Sequence, residues 1–199
     1  MRTLVLSAPL GAQAYFYPSM QPTRVAEREY NFMIADADAF GNALVFQWRE
    51  GLANPKLQFT MDAGFADPDG GDTRLLLGGG LAYQIARASG DMPFDIVFAG
   101  GVGFSTGDDL TILRIPVGVV VGHRFLLEKE MAISPFVHPR LSWNRFSTDL
   151  GDNSDSEIEV DIGGNLEFNA RMALRLAATL GDADAIGISF AWTPRGLRR

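Results

Sequence analysis

The residues that could do chemistry are few, and a histidine is the first of them. His138 shares one face of a predicted strand with Ser134 and Ser142, because residues two apart in a strand point the same way. A histidine, a serine and an acid can act as base, nucleophile and orienting group. No compact motif places all three together here, so we interpret His138 as part of a polar network and predict no enzymatic activity. His123 falls on the apolar face at a strand end, where partial contact with water explains it.

Charged residues on the polar faces of the predicted strands form the second group of candidates. Arginines and carboxylates nearly balance there, which a closed interior requires because an unpaired buried charge is costly. With His138 they predict a polar network in the lumen of a barrel. Its members are Arg49, Asp62, Asp95, Arg114, His138, Arg140, Glu159, Asp161, Glu167 and Arg175. Surface ion pairs on a soluble sheet are the alternative explanation.

Strand spacing also predicts which of these charges meet. Counting back from a turn at 127–130 places Arg114 near Arg140, and counting across a loop at 147–156 places Arg140 near Asp161. Around a turn at 169–170, Arg175 lies diagonal to Glu167, within reach of long side chains.

Composition excludes several classes of function. The absence of cysteine rules out disulfides, iron–sulfur clusters and thiolate zinc sites, and we predict no cofactor and no metal. The net charge of −7 argues against a nucleic-acid partner, which needs a basic surface. No stretch has the roughly 18 apolar residues of a membrane-spanning helix, so any membrane insertion must use strands.

The chain that must position these residues alternates repeatedly between apolar and polar residues, which predicts strands. The clearest example is Ile186, Ile188, Phe190 and Trp192, interleaved with small residues. We predict ten antiparallel strands in an up-and-down meander. They lie near 29–36, 43–50, 56–66, 73–86, 93–104, 110–125, 131–146, 157–168, 171–180 and 184–193. The first two are short, so eight strands with an N-terminal hairpin is an alternative.

We divide the chain into an N-terminal arm at 1–28, a barrel at 29–193 and a C-terminal tail at 194–199. Arg2, a short apolar stretch and Ala12-Gln13-Ala14 fit the remnant of an export signal, and an irregular arm is the alternative. Pro135 and Pro139 lack donors toward the same neighbouring strand, which predicts a bulge or a weakly bonded seam.

The fold class depends on which face is inside. A membrane barrel turns its apolar face outward, whereas a soluble lipocalin-like barrel with an apolar ligand turns it inward. The polar face here is rich in glycine, alanine and serine, as suits a crowded lumen, and the chain has few lysines. Outward-facing aromatics also lie near strand ends, as in the girdles of membrane barrels. One group is Tyr30, Trp48, Tyr83, Phe94, Phe125, Phe168 and Trp192; the other is Phe65, Phe104 and Trp143.

In these patterns the chain resembles small bacterial outer-membrane β-barrels of the OmpA and OmpX type over residues 29–193. The resemblance implies a transmembrane barrel in the outer membrane of a Gram-negative-type bacterium, with both termini and short turns in the periplasm. It also implies the bilayer, lipopolysaccharide and the barrel-assembly machinery as partners. The strand ending at Trp192 looks like the signal read by that machinery, although Thr193 to Arg199 follow it.

We therefore predict a monomeric barrel with a structural, binding or narrow-pore role and a lumen filled by side chains. A soluble lipocalin-like protein and an outer-membrane lipid-modifying enzyme using His138 or His123 are the alternatives.

Overall fold

The structure is a computed structural model that describes residues 17–37, 41–68, 72–107, 110–128, 130–181 and 184–194. Strands and their connections make up this part of the chain. None of these residues belongs to a helix long and apolar enough to cross a bilayer.

Eleven strand segments follow one another along the described chain. They are β1 (Arg28–Ala37), β2 (Gly41–Gly51), β3 (Leu57–Asp67), β4 (Arg74–Ala86), β5 (Asp95–Gly107), β6 (Leu110–Gly122), β7 (Phe125–Leu126), β8 (Ala132–Thr148), β9 (Gly151–Asn169), β10 (Met172–Leu180) and β11 (Ala185–Trp192). β7 continues the line of β6 beyond a break at 123–124 and pairs with the same strand, β8. The segments thus form ten barrel strands.

The sheet closes on itself, so its strands have no free edge. Each of the ten barrel strands pairs antiparallel with the next one along the chain, and β6 and β7 both pair with β8. β1 also pairs with β11, from Tyr30 opposite Trp192 to Ala37 opposite Ala185. The fold is therefore a closed, antiparallel, ten-stranded β-barrel. This confirms the predicted fold class and excludes the eight-stranded alternative, because β1 and β2 belong to the wall.

One predicted connection is wrong. The acidic stretch at 147–156 was expected to be a loop, but β8 and β9 pair without a break from Ala132 opposite Glu167 to Thr148 opposite Gly151. Asp149 and Leu150 alone form the turn. The polar residues misled the interpretation because a hairpin that is solvated on both faces needs no apolar alternation.

Burial alternates along the strands and shows which face is inside. Apolar side chains point outward, with Ile158 74% and Ile34 61% exposed, whereas Arg49 is 1% and Arg114 0% exposed. A water-soluble barrel would reverse this distribution. The lipocalin-like alternative is therefore wrong, and the wall has the inside-out character of a transmembrane barrel.

The outward-facing aromatics only partly match the predicted pattern. Trp192 stacks on Tyr30, with ring centroids 5.7 Å apart, near the rim where β11 ends. Other exposed phenylalanines lie further along the strands, between the two predicted groups: Phe32, Phe46, Phe98 and Phe190. The belt between the rims is thus mixed aromatic and aliphatic, and not mainly aliphatic.

Proline interrupts the wall on one side of β8. The β6–β8 register runs to Gly118 opposite Arg140 and resumes at Val121 opposite Val137, beside Pro139. On its other side, β8 pairs with β9 without interruption. The predicted weak seam is therefore confirmed toward β6 and absent toward β9.

The two rims of the barrel differ in their connections. The terminal rim, where β1 begins and β11 ends, carries the connections 52–56, 87–94, 123–131 and 170–171. The opposite rim carries 38–40, 68–73, 108–109, 149–150 and 181–184. Apart from the two-residue turn at 170–171, the connections beside the termini are therefore longer than expected.

Candidate functional site in the barrel lumen

The strand alternation directs the predicted site residues into the lumen. Nearly all are buried: Arg49, Asp62, Asp95, Arg114, His138, Arg140, Glu159, Asp161 and Arg175. Glu167 differs, because it is only partly buried at the terminal rim, where it pairs with Arg124 at 2.6 Å. The hydrogen bonds that the Arg124 guanidinium donates to Glu167 raise the pKa of Arg124.

One cluster of ion pairs centres on Glu29, at the start of β1. Its Oε1 accepts hydrogen bonds from Arg49 Nη1 and Arg175 Nη1, both at 2.7 Å, and its Oε2 accepts from Arg175 Nη2 at 2.6 Å. Arg175 Nε donates to Asn165 Oδ1 at 3.0 Å. One carboxylate thus bridges two arginines and links β1, β2 and β10 across the inner wall.

A second cluster lies on the inner faces of β6, β8 and β9. Arg114 donates to Glu159, whose Oε2 lies 3.4 Å from Arg140 Nε. Arg140 Nη2 lies 3.2 Å from Asp161 Oδ1, which also accepts a 2.7 Å hydrogen bond from Thr179. Both carboxylates are therefore shared among several donors, as buried charges require.

One predicted pairing needs correction, and the pairing of Arg140 with Asp161 is confirmed. Arg175 does lie diagonal to Glu167, but its partner is Glu29, which the sequence analysis did not assign to the network. Arg114 lies opposite Asn144 and Arg140 opposite Gly118, yet both side chains reach Glu159 Oε2, so the two arginines are neighbours as predicted. Across the break, β6 and β7 keep one continuous register with β8.

The lumen also contains the chain's own N-terminal segment, residues 17–27, here called the N-terminal plug. Tyr17 Oη donates to the main-chain oxygen of Gly41 near the opposite rim, at 3.3 Å. At the terminal rim, the oxygen of Glu27 accepts from Gly51 N at 2.6 Å. The plug therefore runs through the barrel from near one rim to the other before β1 begins.

Polar side chains of the wall hold the plug along its length. Arg49 Nη2 donates to the main-chain oxygens of Ser19 at 3.2 Å and Met20 at 2.9 Å. Gln84 accepts from Val25 N at 3.1 Å and donates to the oxygen of Thr23 at 3.2 Å. These contacts satisfy the hydrogen-bonding groups of a segment that forms no ladder with the wall.

Two glycines of the wall make room for the plug. A Cβ on Gly187 would lie 2.8 Å from Met20 Cε, and a Cβ on Gly122 would lie 2.5 Å from Thr23 Cγ2. Any larger residue at either position would collide with the plug, so these glycines shape the lumen around it.

The plug places Ser19 beside His138 and Asp161, a set of residue types that also occurs in catalytic triads. Ser19 Oγ lies 2.8 Å and Asp161 Oδ2 3.2 Å from His138, but both contact the same nitrogen, Nδ1. A proton relay needs the nucleophile on one ring nitrogen and the acid on the other. The Nε2 atom has no hydrogen-bond partner among the described residues and lies over Gly118. The arrangement is that of an anchor for the plug.

Small cavities remain inside the barrel, between the plug and the wall and at the terminal rim. One, of about 30 Å³, lies between the plug and the wall and is lined in part by Asp62, Arg49 and His138. Another, of about 190 Å³, lies at the terminal rim beside Pro22, Arg124 and Arg175. Among the described residues, no group of three or more possible ligands could hold a metal ion. The first cavity has room for little more than a water molecule.

His123 lies outside this network. It sits at the break between β6 and β7, where its Nδ1 approaches the main-chain oxygen of Pro93 and its ring packs on Phe125. This agrees with the expected position at a strand end.

The sequence analysis missed the plug because its residues alternate in no regular way. Alternation reports strands, and the plug is an irregular chain held by side-chain contacts with the wall. One usable signal was the pair of inward-facing amides on neighbouring strands, Gln58 and Gln84, which bond the plug. Buried amides require partners, and the ten strands alone supply few.

No family model matches the sequence, and no curated protein matches it. Solved structures are similar in fold. LpxR from Salmonella typhimurium is 12% identical, with 85% of each chain covered and a TM-score of 0.48. The β domain of the Bordetella autotransporter BrkA is 12% identical, with 84% of this chain and 99% of that chain covered and a TM-score of 0.47. The KdgM porin, solved with oligogalacturonate, is 6% identical, with 84% and 99% covered and a TM-score of 0.46.

Proposed function

We propose that this chain is an outer-membrane protein whose barrel is closed to free diffusion and serves a structural, binding or narrow-pore role. The observation that carries the proposal is the inside-out distribution of side chains: a continuous apolar belt outside and a network of ion pairs inside. Such a belt is far larger than the apolar patches of soluble monomers, so it needs hydrocarbon as its solvent.

The contents of the lumen support a closed resting state. The ion-pair clusters and the plug leave cavities of about 30 and 190 Å³, which give little room for a continuous water column. A ten-stranded barrel is only slightly wider than the eight-stranded barrels that side chains fill. Steady diffusion of solutes through the folded protein is therefore not expected.

The partners follow from this environment. The proposed partners are the lipid bilayer, lipopolysaccharide and, during insertion, the barrel-assembly machinery. We propose a monomer in the bacterial outer membrane, without cofactor, nucleic-acid partner or enzymatic activity.

Cellular fractionation with heat-modifiable gel mobility tests the location and the fold together. The protein is expected in the detergent-extracted outer-membrane fraction, with a folded band that shifts on boiling. Planar-bilayer recordings of the full chain should show no steady conductance. Extraction into detergent-free buffer would contradict the membrane assignment, and large stable openings would contradict the closed lumen.

The enzyme alternative has its own test. Purified protein is incubated with phospholipid and with lipopolysaccharide, beside a variant carrying His123→Ala and His138→Ala. We expect no hydrolysis or acyl transfer with either protein, because His138 contacts both Ser19 and Asp161 through one nitrogen. Activity that disappears in the variant would overturn this expectation.

A further inference from the structure

The barrel wall is complete without the N-terminal plug. Its closure uses the ladders between β1 and β11 and between β6 and β8, and neither includes residues 17–27. The ion pairs of Glu29 with Arg49 and Arg175 join wall to wall, as does that of Arg140 with Asp161. The plug is thus an addition to a wall that already holds itself together.

The plug is held mainly by polar contacts that water can replace. Besides the bonds from Arg49 and Gln84, Gln21 donates to Gln58 at 3.3 Å, and Arg24 pairs with Asp95 at 2.9 Å. Apolar anchoring rests largely on Tyr17 and Met20, which are fully buried. Hydrogen bonds exchanged for bonds to water cost little net free energy. The plug can therefore leave at a lower cost than any strand of the wall.

We propose that withdrawal of the N-terminal plug opens a narrow, cation-selective pore through the barrel. This inference rests on the proposed function, a membrane barrel that is closed at rest. An extended chain with its side chains fills a cross-section of about 5 by 10 Å, the spacings of paired strands and stacked sheets. A channel of that size passes small hydrated ions and excludes large solutes.

The charges of the wall set the selectivity. Four arginines face six carboxylates among the buried charged residues: Arg49, Arg114, Arg140 and Arg175 against Glu29, Asp62, Asp95, Glu157, Glu159 and Asp161. Withdrawal removes Arg24 from Asp95 and the Ser19 amide from Asp161. Neither oxygen of Asp62 has a hydrogen-bond partner among the described residues, and Asp62 already borders a cavity. The open lumen therefore carries an excess of negative charge, which attracts cations.

The first test removes the plug. Residues 1–26 are deleted, and folding is checked by heat-modifiable mobility before recording in planar bilayers in potassium chloride. Steady openings absent from the full chain are expected, with a reversal potential in a salt gradient that reports cation preference. A folded deletion variant without conductance would overturn the proposal, and anion preference would overturn its selectivity. Asp62→Asn with Asp95→Asn in this background should move the reversal potential toward zero.

A second set of variants keeps the full chain, so the proposal does not depend on the deletion variant folding. Met20→Ala with Arg24→Gln loosens the plug, and flickering openings are expected. Arg145→Gln is the matched control, because Arg145 pairs with Asp152 at the opposite rim and does not contact the plug. The control should stay closed. A loosened variant that also stays closed would contradict the proposal.

A disulfide that ties the plug to the wall tests whether motion of the plug causes the openings. The chain has no cysteine of its own. A Cβ placed on Gly122 would lie 2.5 Å from Thr23 Cγ2, so these two positions are neighbours. Thr23→Cys with Gly122→Cys is added to the loosened variant, so that a sulfur–sulfur bond replaces the close contact between these two positions, and heat-modifiable mobility checks that the oxidised protein is folded. The oxidised protein should be silent, and reductant should restore the openings. Openings that persist in the oxidised protein would refute a moving plug. Conductance in the unaltered chain would instead refute the proposed function.

Discussion

Two ion pairs of equal length lie in opposite surroundings in this barrel. Arg175 and Glu29 meet at 2.6 Å in the lumen, with side chains 2% and 6% exposed. Arg145 and Asp152 also meet at 2.6 Å, but on the β8–β9 hairpin, with side chains 52% and 50% exposed. A charge that loses its partner in the lumen stays without water, whereas at the rim it is solvated. The surroundings of an ion pair, and not the distance between its atoms, therefore decide how much the pair contributes to the free energy of unfolding.

The largest effect is expected from Glu29→Gln. It removes the charge that bridges Arg49 and Arg175, and breaking a buried pair of this kind costs about 3–5 kcal/mol. Urea unfolding in detergent micelles measures the loss of unfolding free energy. Glu50→Gln is the matched control, because Glu50 pairs with Arg28 at the terminal rim. Its loss should stay below about 1 kcal/mol. Equal losses for the two variants would erase the distinction between lumen and rim.

The second-largest loss of stability is expected from adding a methyl group to the tight space beside His138. In Gly118→Ala the new Cβ would lie 2.5 Å from the oxygen of Pro139 and 2.6 Å from His138 Nε2. Overpacking of this kind costs about 1–3 kcal/mol. Gly164→Ala is the control, since a Cβ there meets no atom within 4 Å. Heat-modifiable mobility across a temperature series compares the two, and a Gly118→Ala variant as stable as the control would contradict the tight packing.

Asp62→Asn compares two carboxylates within the lumen, Asp62 and Glu29. Both oxygens of Asp62 lack hydrogen-bond partners among the described residues, in contrast to those of Glu29. Removing a poorly compensated buried charge relieves its desolvation, so the variant should be as stable as the unaltered barrel or more so. The same urea titration measures the unfolding free energy of this variant. A loss of unfolding free energy as large as that of Glu29→Gln would show that the charge of Asp62 is fully compensated.

The smallest effect is expected from Arg145→Gln. The pair with Asp152 is solvated on the hairpin, so its loss should leave the unfolding midpoint unchanged at low and at high salt. A measurable drop at low salt that vanishes at high salt would assign the hairpin a role in stability.

The sequence predicts the wall well, because one physical rule governs it. Strand residues alternate between hydrocarbon and lumen, so Ile186 to Trp192 reveal both a strand and its orientation. The same rule places His138 and Arg140 inside. It fails at the β8–β9 hairpin, where both faces are wet.

The partners of the charges could not be predicted to the same extent. Glu29 was missed because the first strand has the weakest alternation, and the partner of Arg175 lies 146 positions away. Contacts over such separations depend on how the barrel closes, which no local pattern records. The plug is the extreme case, since its conformation is set by the wall around it.

The seam between β1 and β11 has a consequence for the order of assembly. The plug precedes β1 in the chain, yet Ser19 contacts Asp161, 142 positions later, and closure joins the first strand to the last. Contacts so distant along the chain form slowly, because the loop must be ordered before they stabilise it. The plug, although it precedes every strand of the wall, is thus among the last parts of the barrel to reach its final environment. The residues of the plug either lie within the curling sheet as it seals or thread afterwards through an open end.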